Sequence, residues 1–170
     1  MAFTELDELL GAPGSKPGKS GPDKLAAELP TVIAVDDDRD ILRGIEGLFG
    51  KRYNLLLCQN GPAAIAALSD EVCAVILDVR MAGMDGFTVC EKIRASHPNL
   101  PVIFYSAYQD SKDPYRIIND FRPFAYITKG ESIQKLVEAV DLAVRLQWSI
   151  LTNQRLVARI KSKSRPPQGE

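Results

Sequence analysis

The chain has 170 residues, of which 45% are hydrophobic and 25% are charged, and its formal net charge at pH 7 is -1. This composition is that of an ordinary globular protein, and the balanced charge gives no overall attraction to nucleic acid or to an anionic membrane. Because there is neither a run of roughly 18 apolar residues nor a cationic leader before an apolar core, we expect a cytoplasmic protein without membrane association.

The first 29 residues are predicted to be a flexible tail. Residues 2–10 combine acidic and apolar side chains, and residues 11–22 have the Gly, Pro, Ser and Lys content of a linker. The simpler interpretation of residues 2–10 is a frayed tail, and the other is a short docking motif that binds a groove on a partner. Its apolar positions, which would share one face of a helix, are Phe3, Leu6, Leu9 and Leu10.

Two apolar runs end abruptly in carboxylates. Residues 31–35 are followed by Asp36, Asp37 and Asp38, and residues 72–77 are followed by Asp78. Apolar runs of this length that are rich in Val and Ile are typical of parallel strands buried on both faces. Since open α/β sheets hold their ligands at the carboxyl ends of such strands, the sequence predicts an acidic site at one edge of a sheet.

The other predicted elements alternate between strands and helices. The predicted helices cover about residues 39–49, a short stretch from Asn60, and residues 87–96, and the predicted strands also cover residues 53–58, 101–105 and 124–128. The last two strands end at polar side chains, Ser106 and Lys129. This alternation requires crossover connections, so we predict an α/β fold with a parallel sheet and helices on both faces.

The residues at the strand ends resemble those of receiver domains of two-component response regulators. That family has an acid pair after the first strand, a phosphoacceptor Asp after the third in the context D-x-x-M-P-x-M-D-G, a Ser or Thr after the fourth and a Lys after the fifth. The matching residues here are Asp36 and Asp37, Asp78 with its loop to Gly86, Ser106 and Lys129. The resemblance covers roughly residues 30–145 and implies a flavodoxin-like sheet of five strands in the order 2-1-3-4-5.

The resemblance also implies the chemistry of the site. Asp78 would accept a phosphoryl group, and the ammonium of Lys129 would offset the charge that is transferred. Carboxylate oxygens suit Mg²⁺, which also coordinates phosphate oxygens. The implied metal ligands are Asp36, through water, and Asp37, Asp78 and the backbone carbonyl of Arg80.

The family's switch residues have matches as well. Ser106 would donate its hydroxyl to the phosphoryl group, and Tyr126 would rotate inward, which changes the surface around the last strand and its flanking helices. The sequence departs from the family pattern in three respects. Ala82 and Gly130 replace prolines, so no cis peptide is expected after Lys129, and the bulky Arg80 and Tyr108 predict slow hydrolysis of the acyl phosphate.

The predicted function is therefore a phosphorylation-activated switch and not an enzyme acting on other molecules. A sensor histidine kinase or a phosphotransfer protein would phosphorylate Asp78, and the signal would pass to a downstream protein target by direct contact. The alternative is a pseudo-receiver, which would act as a scaffold or dimerisation module without being phosphorylated. A metal-dependent phosphatase is disfavoured because the predicted site has no additional acid or base.

The last helix is predicted to be unusually long, because residues 131–162 contain no Gly or Pro. One apolar stripe, which is expected to cover the sheet, comprises Ile133, Val137, Val140 and Val144. A second stripe continues beyond Gln147 and comprises Leu136, Ala139, Ala143, Leu146, Ile150, Asn153, Val157 and Ile160. Its spacing by three and four predicts a homodimeric coiled coil in which Asn153 sets the register, and the alternative is a helix that folds back or docks on another protein.

The predicted domain organisation follows from these elements. Residues 30–146 form the receiver domain, residues 147–163 extend the last helix, and residues 164–170 form a disordered tail. Cys58, Cys73 and Cys90 are odd in number and lie within apolar patterns, so they are expected to be buried reduced thiols.

Overall fold

Five parallel strands form a sheet of order β2-β1-β3-β4-β5 in the computed structural model, which describes residues 29–107 and 117–163. The strands are β1 (Thr31–Val35), β2 (Asn54–Cys58), β3 (Val72–Leu77), β4 (Val102–Ser106) and β5 (Ala125–Thr128). The helices are α1 (Arg39–Phe49), α2 (Gly61–Ala66), α3 (Gly86–Ser96), a π-helical turn (Ile117–Phe121) and α4 (Ile133–Lys163). The predicted α/β fold, strand order and long last helix are confirmed.

Four sequence predictions fall outside the described residues. They concern the flexible N-terminal tail with its linker at residues 11–22, the possible docking motif at residues 2–10, the bulky Tyr108 and the tail at residues 164–170. Among the residues that the structure describes, no helix is both long enough and apolar enough to cross a membrane.

The sheet is buried because helices cover both of its faces. Every residue of β3 is buried, which explains the unbroken apolar run of this central strand. Alternate strand residues contribute to two core clusters. One cluster packs Val75 and Leu77 against α3, and the other packs Ala74 and Ile76 against α1 and α4.

The helices that follow β1, β2 and β3 all begin at a side-chain cap. Asp38 accepts a hydrogen bond from the backbone of Asp40, Asn60 from Ala63 and Asp85 from Thr88. Each cap satisfies a backbone N–H that has no partner within its helix. These caps fix the first turns of the helices close to the strand ends that carry the acidic residues.

Arg94 on α3 holds the chain just before β5. Its guanidinium donates hydrogen bonds to the carbonyl oxygens of Leu100 at 2.6 Å, Phe121 at 3.1 Å and Arg122 at 2.9 Å. Arg122 has a φ of 45°, a left-handed conformation that is uncommon for residues other than glycine. The three hydrogen bonds stabilise this turn and fix the entry into the strand that ends at Lys129.

The last helix, α4, faces the sheet with Leu136, Val140, Ala143 and Val144, which are all fully buried. The sequence interpretation is wrong for Leu136 and Ala143, which it assigns to the outward stripe, and for Ile133, which is 47% exposed. Two stripes displaced by three residues lie only about 60° apart on a helix. Spacing alone therefore does not decide which of them covers the sheet.

The outward side of α4 is an apolar surface, here called the exposed seam. It comprises Leu142, Leu146, Ile150, Asn153, Leu156, Val157 and Ile160, and its aliphatic members are 49–57% exposed. On the opposite side, Trp148 and Leu151 pack against the core, and the Arg155 guanidinium lies 2.8 Å from the Glu71 carboxylate. The helix therefore contacts the rest of the domain beyond Gln147, where the predicted first stripe ends.

The three cysteines are buried free thiols. Burial raises the pKa of all three, and it raises the pKa of Cys73 and of Cys90 to about 11. These thiols stay protonated near neutral pH, as expected of structural cysteines rather than reactive ones.

Candidate functional site

Three carboxylates meet at the carboxyl edge of the sheet. Asp36 and Asp37 follow β1, and Asp78 follows β3, its hydrogen-bonded neighbour. The Asp78 N–H donates to the carbonyl oxygen of Val35 at 2.9 Å, which fixes the two strand ends relative to each other. One carboxylate oxygen from each aspartate lies within 4.8 Å of the others. The strand order changes direction here, at the position where α/β sheets of this kind bind ligands.

Lys129 lies against two of these carboxylates. Its ammonium nitrogen is 2.6 Å from Asp36 Oδ2 and 3.2 Å from Asp78 Oδ2. The Lys129 N–H also donates to the carbonyl oxygen of Ser106 at 2.8 Å, so the end of β5 is tied to the end of β4. Burial by itself lowers the pKa of Lys129, but the hydrogen bonds and charges of the two aspartates outweigh burial and raise it overall. The side chain is therefore a fixed cation.

Asp36 is the most deeply buried of the three carboxylates, with 1% of the residue exposed. Burial raises its pKa, against the opposing effects of Lys129 and of the Asp38 N–H, which donates to Asp36 Oδ1 at 2.9 Å. Asp37 is exposed, and Asp78 is 5% exposed. The site thus combines one accessible carboxylate with two that are largely removed from water.

The loop after β3 folds back onto the site. Asp37 Oδ2 accepts a hydrogen bond from the Ala82 N–H at 3.2 Å, which a proline at position 82 would not supply. Gly83 has a φ of 82°, and Gly86 packs directly on the carbonyl group of Asp78. Ala82 departs from the family pattern, which has a proline at this position. In the structure the Ala82 N–H helps to position Asp37.

The two predicted switch residues occupy different surroundings. Ser106 is 1% exposed at the end of β4, where it pairs with Thr128. Tyr126 is half-buried, and its ring lies 5.9 Å from that of Phe104. The tyrosine ring is thus already partly directed towards the core.

An aromatic cluster that the sequence analysis did not identify connects these parts. The Phe104 ring lies 5.3 Å from Phe87 at the start of α3, and Phe87 stacks on Phe121 at 4.6 Å. Phe87 directly follows Gly86, and Phe104 lies two residues before Ser106. The proximity of these aromatic positions to predicted site residues is the sequence signal that could have indicated the cluster.

The structure therefore places Asp36, Asp37, Asp78 and Lys129 together, with Ser106 joined to them through the backbone of Lys129. Arg80 contributes a backbone N–H that lies 3.4 Å from Asp78 Oδ1. The donor set of the acidic cluster consists of carboxylate oxygens, and a single lysine leaves it with an excess of negative charge. These are the properties of a site that fits a hard divalent cation such as Mg²⁺.

The burial of Asp36 predicts a pH-dependent effect on stability. The pKa of Asp36 in the folded state lies above the ordinary value of 3.8, because the folded state disfavours the carboxylate. Stability is therefore lost as the pH rises from this ordinary value through the folded-state pKa. We expect Asp36→Asn to increase the free energy of unfolding at pH 7 and to have little effect at about pH 3. Urea denaturation in EDTA at both pH values measures this difference. A variant that is less stable than the wild type at pH 7 would contradict it.

This fold and site define a class: a doubly wound α/β domain with an acidic pocket and a lysine at the carboxyl edge of its sheet. The model of the response regulator receiver domain family matches residues 32–141. The chain belongs to this family, whose members act as phosphorylation-dependent switches in two-component systems.

Several curated relatives are similar to the chain over its receiver region. The DNA-binding transcriptional regulator NtrC of Salmonella typhimurium is 34% identical over 115 residues, which cover 66% of this chain and 24% of the relative. The C4-dicarboxylate transport transcriptional regulatory protein DctD of Rhizobium meliloti is 27% identical over 129 residues, covering 75% of this chain and 28% of the relative. The chain thus spans about a quarter of the length of these relatives.

Solved structures share the fold. The signal receiver domain of an HD domain-containing protein from Pseudomonas fluorescens has a TM-score of 0.64 and 25% identity, over 72% of this chain and 99% of that structure. The response regulator StyR has a TM-score of 0.68 and 21% identity, over 82% of this chain and 72% of that structure, a similarity that concerns the fold alone.

Proposed function

We propose that Asp78 accepts a phosphoryl group from a sensor histidine kinase or a phosphotransfer protein. The observation that carries the proposal is the position of the Lys129 ammonium, within 3.2 Å of both Asp36 and Asp78, beside the cluster of three carboxylates. A fixed cation at the nucleophile is what phosphoryl transfer requires, because catalysis consists mainly of positioning and charge stabilisation.

The residues have distinct parts in the proposed transfer. A carboxylate oxygen of Asp78 forms a bond to phosphorus, while the bond between phosphorus and the donor atom breaks and its electron pair leaves with the donor. Lys129 offsets the negative charge on the phosphoryl oxygens. Mg²⁺, held by Asp36, Asp37, Asp78 and the backbone carbonyl of Arg80, would supply further charge neutralisation when bound.

Phosphorylation would be transmitted through Ser106 and Tyr126. The new phosphoryl oxygens are strong acceptors, and the hydroxyl of Ser106 would donate to one of them at the end of β4. The Tyr126 ring, on β5, lies beside the Phe104 ring. Phe104 is on β4, two residues before Ser106, so a movement of β4 reaches the Tyr126 ring. The resulting change would be presented by β5 and α4 to a downstream protein target.

The test of the proposal is phosphoryl uptake from a small-molecule phosphodonor such as acetyl phosphate. We expect the intact mass to increase by one phosphoryl group in the presence of Mg²⁺ and to remain unchanged in EDTA. An absence of uptake with both Mg²⁺ and donor present would overturn the proposal and favour a scaffold that is not phosphorylated.

We further propose that the exposed seam of α4 binds a second copy of the chain. The exposed aliphatic residues recur at spacings of three and four, and Asn153 interrupts them with a polar side chain that can pair with its own copy across a two-fold axis. A second helix would remove this apolar surface from water. Two receiver domains, joined by their paired α4 helices, would then form one signalling unit.

The dimer predicts a specific effect of charge in the seam. We expect Leu146→Glu combined with Ile160→Glu to convert a dimer into a monomer, because both side chains are at least half exposed in the isolated chain and would be buried between two helices. Leu48→Glu, at an exposed position on α1, is the matched control and should remain dimeric. Light scattering, with and without the phosphoryl analogue beryllofluoride, measures the molar mass. A wild-type chain that is monomeric in both conditions would contradict the proposal.

A further inference from the structure

The three carboxylates of the site are not restrained equally. Asp36 and Asp78 both contact the Lys129 ammonium, at 2.6 and 3.2 Å, and both are almost fully buried. Asp37 is exposed, and it forms no ion pair within the part of the chain that the structure describes. An exposed side chain samples several rotamers unless another group holds it, so the orientation of Asp37 depends on its remaining contacts.

One backbone group holds Asp37 in the site. The Ala82 N–H donates to Asp37 Oδ2 at 3.2 Å, and no other hydrogen bond to this carboxylate occurs among residues 29–107 and 117–163. In this orientation an oxygen of Asp37 lies within 4.8 Å of oxygens of Asp36 and Asp78. The Ala82 N–H is therefore the contact that keeps the exposed carboxylate close to the two buried ones.

The donor is itself fixed by the loop that follows β3. Val79 and Met81 are buried, and the Gly86 N–H donates to the carbonyl oxygen of Val79 at 2.9 Å. Gly83, directly after Ala82, has the positive φ that this loop requires. Ala82 is exposed, so its side chain does not anchor the loop. Its contribution to the site comes from the backbone N–H.

We propose that the Ala82 N–H is a positioning group that raises the affinity of the acidic cluster for a divalent cation. A ligand that is already held in place loses less conformational freedom when the cation binds, and the cation then binds more tightly. The proline of the family pattern would lack this donor. The inference rests on the metal site of the proposed function, but it concerns cation binding and not phosphoryl transfer.

Replacing the N–H of residue 82 by an ester oxygen tests the proposal. Incorporation of L-lactic acid in place of Ala82 keeps the methyl group and removes the donor. We expect the Kd for Mg²⁺, measured in the full-length chain from the amide NMR signals of residues 36–38 and 78–80, to rise roughly threefold to tenfold.

Two substitutions with ordinary amino acids accompany the ester. Ala82→Pro also removes the N–H and should raise the Kd for Mg²⁺ to a similar extent, although proline additionally restricts the backbone of Met81. Ala82→Ser is the matched control, because it changes an exposed side chain and keeps the N–H. Its Kd should equal that of the wild type. A Kd for the ester variant equal to that of the wild type would overturn the role of Ala82 and leave the metal site intact.

The same ester in an Asp37→Ala chain separates the positioning of Asp37 from a general effect on the loop. Asp37→Ala alone should weaken Mg²⁺ binding, and the ester should cause no further change, because the N–H no longer has a carboxylate to hold. A further rise in Kd of the same size as in the wild-type background would assign the effect to the loop and overturn the proposal. A wild-type chain that binds no Mg²⁺ would overturn the metal site as well.

Discussion

Asp78→Asn is expected to abolish phosphoryl uptake completely. The amide oxygen that replaces the carboxylate is a poor nucleophile, and the substitution also removes one of the negative charges that would hold Mg²⁺. The variant should still fold, because Asn is close in size to Asp. Lys129 loses the Asp78 carboxylate but keeps a charged partner, since its ammonium also contacts Asp36. Intact mass after incubation with acetyl phosphate and Mg²⁺ measures the effect.

Asp85→Asn is the matched control for this experiment. Asp85 lies in the same loop but caps α3 through a hydrogen bond from the Thr88 N–H at 2.8 Å, and asparagine caps helices about as well as aspartate. Uptake should therefore resemble that of the wild type. Undiminished uptake by Asp78→Asn would show that another residue accepts the phosphoryl group.

Gly86→Ala is expected to have the largest effect on stability, a loss of about 3 kcal/mol in the free energy of unfolding. A Cβ atom at this position would overlap the carbonyl oxygen of Asp78 and lie 2.9 Å from the Cα atom of Val79. Both contacts are with backbone, so relief requires movement of the loop that follows β3 and carries Asp78. We expect phosphoryl uptake to fall together with stability. Urea denaturation and intact mass measure the two effects.

Gly44→Ala and Gly47→Ala separate this steric effect from the general effect of removing a glycine. Both positions lie within α1, and a Cβ atom there would have no neighbour within 4 Å. Each substitution should raise stability by about 0.5–1 kcal/mol, because alanine favours the helix and restricts the unfolded chain. If Gly86→Ala were as stable as these variants, the close approach of α3 to the Asp78 backbone would be contradicted.

The strand ends explain why much of the fold and site could be predicted. A buried parallel strand requires an unbroken apolar run, and an acid that follows such a run must lie at the carboxyl edge of the sheet. The positions of Asp36, Asp37, Asp78 and Lys129 follow from this rule together with the strand order. The start of the second helix at Asn60 could be predicted because its signal is local, and in the structure the Asn60 side chain caps this helix.

Other features depend on tertiary contacts that a sequence pattern does not specify. The two stripes of α4 fit helical spacing equally well, and only packing against the sheet buries Leu136 and Ala143. The hydrogen bond from the Ala82 N–H to Asp37 connects residues 45 positions apart. Arg94 likewise binds the carbonyls of Phe121 and Arg122, which lie 27 and 28 positions away, so composition and periodicity give no indication of these contacts.

The central claim is that the edge of the sheet makes Asp78, and not its neighbours, the phosphoacceptor. Borohydride reduction of the phosphorylated chain, followed by peptide mass mapping, tests this most directly, because hydride converts an acyl phosphate, but not a free carboxylate, into an alcohol. The prediction is that the peptide containing Asp78 carries homoserine at that position. Modification at Asp36 or Asp37, or a phosphoryl group retained on Ser106, would contradict the claim.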